Sequence, residues 1–171
     1  MLTISKNRLT TVCIMLIFLL AIIPTALGAT PSKTVQFQDD EWFNFYIIHE
    51  PLIVPHLDNI AAAIEEEDYN KLYDESQGLS IDSEASLKKS KEFKVSPELR
   101  NAKEEYEFSQ SDNLMIAKYF MIAANKQNAG DIAGRKSACM SAVTYIESAS
   151  THSDNMMNYL HIYWNGLKKV E

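Results

Sequence analysis

The stretch that decides the fold is DIAGRKSACMSAVTYIESASTHSDNMMNYLHIYWNGL, residues 131–167. Steps of three and four residues from Ile132 reach Arg135, Cys139, Ala142, Ile146, Ala149, Ser153, Met156, Leu160, Tyr163 and Leu167 without losing phase. That spacing puts one side chain per turn on one face of an α-helix. The polar cluster Ser148–Asp154 has the composition of a turn, but an inserted loop would reset the register. One long helix is therefore expected from Asp131 onward, with a short fifth helix after the cluster as the alternative.

Upstream, the same periodicity recurs three times. Asn128-Ala129-Gly130-Asp131 forms a stop, with Gly130 suited to a left-handed position just past a helix end. Before it, Leu99, Ala102, Tyr106, Ser109, Asn113, Ile116, Phe120 and Ala123 form a seam that opens at Ser96-Pro97-Glu98: an N-cap hydroxyl, a proline at the first helical position and an early acid. A helix from about Asp68 to Glu92 is thin in apolar residues (Leu72, Tyr73, Leu79, Ile81, Leu87) and carries Gly78 in its middle, so two shorter helices are the alternative. The first helix is expected from Asp39 to Glu66, with Asp39 and Asp40 as N-cap and first-turn acids and a seam of Phe43, Tyr46, Glu50, Ile53, Leu57, Ile60 and Ile64. Pro51 and Pro55 lie inside it, where each removes a backbone hydrogen bond, and a kink or break is expected there. Four helices with short connections give an all-α, up-and-down four-helix bundle over residues 38–171, after a flexible lead-in at 29–37.

The first 28 residues have another character. Lys6 and Arg8 precede an uncharged apolar run, Thr11–Ile23; Pro24 ends the run, and Ala26-Leu27-Gly28 offers small residues where a signal peptidase reads. The reading is a signal peptide cleaved before Ala29. The alternative is an uncleaved anchor, since Leu9 to Ala29 just suffices to cross a bilayer. Either way the rest of the chain lies outside the cytoplasm.

Of 171 residues, 16 are Lys or Arg and 23 are Asp or Glu, for a formal net charge of −7. Without Lys6 and Arg8, 14 basic residues face the same 23 acids, so the exported part carries −9. Such a balance is unsuited to nucleic acid or anionic lipid. The densest basic run, Lys88-Lys89-Ser90-Lys91, lies between Glu84 and Glu92 and reads as a solvated helix face. Of the two cysteines, Cys13 lies in the signal, which leaves Cys139 alone and excludes an internal disulfide in the exported part. Cys139 sits among Ala138, Met140 and Ala142 and reads as a small buried thiol.

Residues 60–150 combine an acidic helix end running into Asp68-Tyr69 and Leu72, then Ser96-Pro97-Glu98-Leu99, then Ala102-Lys103-Glu104-Glu105-Tyr106, then an Ala-rich helix pair split by Gly130-Asp131. In this the chain resembles small exported helical-bundle proteins of uncharacterised function, seen especially in archaea. The resemblance implies a helical bundle and carries no activity, cofactor or site residue.

Three constellations bear on function. His49 and His56 share one helix face, His152 and His161 lie on the last helix, and matching the seam ends places His49 and Glu50 near the level of His152. That grouping could hold a metal, although no HExxH or ExxH spacing is present and ordinary hydrogen-bonded histidines are the plainer reading. Ser109 and Asn113 could line a small pocket or contact an ion, although such residues more often pair with each other or a neighbour and fix the register. Trp42, Phe43, Phe45 and Tyr46 share an end of the bundle with Tyr159, Tyr163 and Trp164, as a cap on the core or as a contact surface; the topology predicts that Phe45 and Tyr163 meet. No nucleophile elbow or phosphate loop is present, and no catalytic residue or cofactor is assigned. The expectation is a non-enzymatic binding or assembly module at the cell exterior, with an unknown protein or cell-surface component as partner. The alternative is a metal- or haem-binding bundle using histidine with Met115, Met121, Met140, Met156 or Met157, although methionine at helical spacing is ordinarily core filler.

Overall fold

The computed structural model describes residues 37–167. The signal segment 1–28 and nearly all of the lead-in 29–37 lie outside these residues. The described chain forms four helices and no strand: α1 Asp39–Glu65, α2 Tyr69–Ser90, α3 Pro97–Asn128 and α4 Ile132–Leu167. Each helix packs on the next, and the start of α1 meets the end of α4 where Phe43 touches Trp164. This is the expected all-α, up-and-down bundle.

The turns follow from local chemistry. Gly130 adopts φ +73°, and the Asp131 N–H reaches back to the Lys126 carbonyl at 2.8 Å, closing α3 with a left-handed cap. Asp131 then starts α4: one carboxylate oxygen accepts the Gly134 N–H at 2.8 Å, and the other takes Lys126 Nζ at 2.9 Å. These bonds, Lys126 first, hold its carboxyl below the ordinary value. At the α1–α2 turn the same left-handed position falls to Glu67, at φ 55°, and the Asp68 side chain caps α2 through the Lys71 N–H.

Several expectations need correction. α1 is a single helix through Pro51 and Pro55, so of the expected kink or break the break does not occur. Both prolines face solvent, where water can satisfy the Ile47 and Pro51 carbonyls that lose their helical partners. Asp39 does not cap α1; Gln38 holds that position. The Asp39 carboxylate instead ties three elements together, accepting the Ser96 N–H at 2.7 Å and the Tyr163 hydroxyl at 3.2 Å. Ser96 is the N-cap residue of α3, yet its hydroxyl makes no capping bond. As expected, α2 is one helix through Gly78 and α4 is continuous through 148–154, and the shorter-helix alternatives fall away.

The eight α3 seam residues are all buried. On α2 the buried positions are Leu72, Ser76, Leu79, Ser83, Ser86 and Ser90, in strict alternation of four and three. Lys88, Lys89 and Lys91 are solvated as expected, while Ser90 among them is fully buried.

The apolar core divides in two. One cluster joins Ile53, Ile60, Leu72, Leu79, Ile116 and Phe120 with small alanines of α3 and α4. The other joins Trp42, Phe45, Tyr46, Val95, Leu99, Tyr106, Met156 and Leu160.

Candidate functional site

Between these clusters every helix contributes polar side chains. α1 supplies Glu50, α2 Ser83 and Ser86, α3 Ser109, Gln110 and Asn113, and α4 Ser153. Contacts between α1, α3 and α4 define the level. Tyr46 packs edge-on against Tyr106 at 5.5 Å, and one turn further along each helix Gln110 Nε2 donates to Glu50 Oε2 at 3.4 Å. The Ser109 and Ser153 hydroxyls lie 3.3 Å apart across α3 and α4.

This layer is only partly satisfied. Gln110 is fully buried and its Oε1 has no partner; the same holds for the hydroxyls of Tyr106, Ser83 and Ser86. Buried polar atoms are ordinarily paired, so four orphans in one slice mark it as unusual. Glu50 is half-buried as a residue, yet burial around its carboxyl pushes the group up to about 7, against the lowering effect of the Gln110 amide. Burial first and the Glu50 charge second raise the Tyr46 and Tyr106 hydroxyls well above the ordinary phenol range.

The expected pocket residues are thus found in this layer, with Ser109 paired to Ser153 and Asn113 buried beside it. Sequence reasoning missed Gln110, Ser83 and Ser86. The signal for the serines was present in the four–three spacing of α2, which continues from Leu72 and Leu79 into them.

The histidines do not form the suggested grouping. His49 lies against the Phe45 ring at 4.5 Å. His56 is held between α2 carboxylates, Nδ1 to Glu75 at 2.8 Å and Nε2 to Asp82 at 3.1 Å. Gly78 makes room for that ring, since a Cβ there would lie 2.8 Å from Nδ1 and closer still to Cε1. His152 is clasped alike by α3, Nδ1 to Glu105 at 2.5 Å and Nε2 toward Asp112 at 3.8 Å. In both clasps the carboxylates are seven residues apart and meet opposite ring nitrogens, so they do not converge on one point. His161 is exposed. Among the described residues no group of three His, Cys, Asp or Glu is placed to hold a metal.

The start of α1 and the end of α4 do share their aromatic residues: Trp42, Phe45 and Tyr46 are core, and Phe43, Tyr159, Tyr163 and Trp164 pack partly buried against it. Trp42 is 0% exposed, and its indole N–H donates to Ser90 Oγ at 3.1 Å. Phe45 turns toward Phe93 (5.4 Å) and Tyr106 rather than toward Tyr163, and the pair that meets across the helices is Phe43 with Trp164, at 5.2 Å. Met156 is core, whereas Met140 is exposed. Cys139 is a half-buried free thiol, raised by burial against the opposing Arg135 charge.

The outer face of α1 has a different character. Ile48 is 64% exposed and Leu52 is 49% exposed, and the solvent-facing Pro51 and Pro55 continue the same strip. No helix among the described residues is long and apolar enough to cross a membrane. No family model, curated protein or solved structure matches this chain.

Proposed function

We propose that the protein is an exported, non-enzymatic binding or assembly module that engages a protein or cell-surface component through a helix face. The observation that carries this reading is the α1 strip of Ile48, Pro51, Leu52 and Pro55, apolar and turned to solvent. Contiguous apolar surface of this kind costs solubility and marks contact sites more often than scattered exposed residues do. The buried state of Trp42, Phe45 and Tyr46 argues against the aromatic end as the working surface. The acidic balance supports a partner other than nucleic acid.

The test is site-specific photo-crosslinking in the native host, with the reactive residue at Ile48 or Leu52 and, as control, at Thr144 on the outer face of α4. A discrete adduct from α1 alone, abolished by Leu52→Glu, supports the reading. Equal labelling from both faces refutes it. Mass spectrometry of the same material reads the N-terminus, expected at Ala29; an intact Met1 would show the anchored form.

A further inference from the structure

We propose that the buried polar layer seats one alkali-metal cation, held by the Glu50 carboxylate, the Gln110 side-chain carbonyl and the hydroxyls of Tyr106 and Ser86, with Ser83 one turn along α2. The first argument is the donor set. Every one of these groups offers oxygen lone pairs, and none of them brings a positive charge. Gln110 spends its N–H on Glu50 and is left with an unpartnered Oε1. Tyr106 packs on Tyr46 one turn from the Gln110–Glu50 bond, and its hydroxyl is raised by the Glu50 charge and lowered by the Ser86 hydroxyl, so α1, α2 and α3 all reach this slice. Gln110, Tyr106, Ser83 and Ser86 are each less than 2% exposed, which gives the layer orphan acceptors that bulk solvent does not reach.

The second argument is charge. Gln110 is the side chain that hydrogen-bonds Glu50, and it is neutral. Once Glu50 is ionised, as at pH 8, a water molecule would satisfy the hydroxyls but leave the carboxylate uncompensated, whereas a monovalent cation satisfies both at once. A single carboxylate among neutral oxygens suits that charge. Calcium sites ordinarily assemble several carboxylates, and magnesium keeps much of its water.

The experiment follows thermal unfolding of the full chain by circular dichroism at pH 8. Tetramethylammonium chloride is the starting salt, replaced stepwise by NaCl, KCl or, in a separate arm, CaCl2 at constant ionic strength. A saturable rise of several degrees in Na+ or K+ is expected, since a ligand that binds only the folded state raises the midpoint. Glu50→Gln should remove the rise, and Ser86→Ala should move half-saturation about tenfold higher, the scale of one lost ligand. Identical midpoints in tetramethylammonium, Na+ and K+ would overturn the proposal, as would a rise that survives Glu50→Gln. Saturation by Ca2+ at lower concentration than either alkali ion would overturn the monovalent assignment. Should Glu50→Gln fail to fold, the Ser86→Ala shift and calorimetric titration of the wild type with NaCl and KCl decide alone.

Discussion

Replacing Glu50 by Gln keeps the shape of the side chain and removes its ability to ionise. In the folded protein the Glu50 carboxyl is pushed up to about 7, from an ordinary 4.5. A raised carboxyl means that folding favours the protonated form. Its contribution is fully present below about 4.5 and is lost as pH rises through 7. At about 1.4 kcal/mol for each factor of ten, the ionised form carries a penalty of at most roughly 3 kcal/mol above pH 7. Urea unfolding in tetramethylammonium buffer measures this. At pH 4 the two proteins should agree within about 1 kcal/mol, because a neutral carboxyl and a carboxamide make similar bonds. At pH 8 the variant should be the more stable by about 2–3 kcal/mol. A variant no more stable than wild type at pH 8 would show that Glu50 is hydrated or compensated, and the argument from burial would fail.

Three further outcomes are expected. Gly78→Ala, which in an ordinary helix interior would gain about 1 kcal/mol, should here cost about 1–3 kcal/mol by displacing the His56 ring; urea denaturation reads the sign, and His56→Ala in the same chain should restore the gain. A double-mutant cycle should give about 0.5–1.5 kcal/mol of coupling for Phe43 with Trp164, and no more than about 0.3 kcal/mol for Phe45 with Tyr163, since the Phe45 ring packs on Phe93 and Tyr106. Cys139→Ala should cost no more than about 1–2 kcal/mol by thermal or urea unfolding, and adding a reductant should leave the wild-type curve unchanged.

The helices were legible where burial and hydropathy agree. The α3 seam from Leu99 to Ala123 could be read residue by residue, since apolar or small side chains recur at each turn. Gly130 announced the α3 stop because few other residues accept its backbone angle. Asp39 reads as a cap because an acid at a helix start has two uses, and only the tertiary fold shows that Ser96 and Tyr163 claim its oxygens. Pro51 and Pro55 were expected to disturb α1, but the sequence does not say which side of the helix they occupy, and on the wet side their cost falls. α2 looked weak because hydropathy does not credit serine with burial, though Ser76, Ser83, Ser86 and Ser90 occupy the seam. Phe45 and the histidines were placed at the right end or level but toward the wrong neighbour. Level follows from counting along antiparallel helices, whereas direction depends on how the helices are arranged around the core.

The polar layer also accounts for the register of the bundle. Apolar seams alone would tolerate a slide of one helix along another, since Ile, Leu and Ala can repack against each other. Sliding α1 by about two turns would bring Glu50 opposite Ala102 in one direction or Ala117 in the other, stranding a carboxyl among methyl groups without Gln110. The two apolar clusters are therefore held in phase by a slice that contributes little to hydrophobic stability itself. Register and cation binding make different demands on the same residues. A register key needs Gln110 to match Glu50 and is indifferent to Ser86, whose hydroxyl makes no close hydrogen bond and reaches only toward Tyr106. A cation seat needs Ser86 and Tyr106 as donors. The hydroxyl of Ser86 is thus the group whose removal separates the two roles, leaving the fold as it is while weakening the ion.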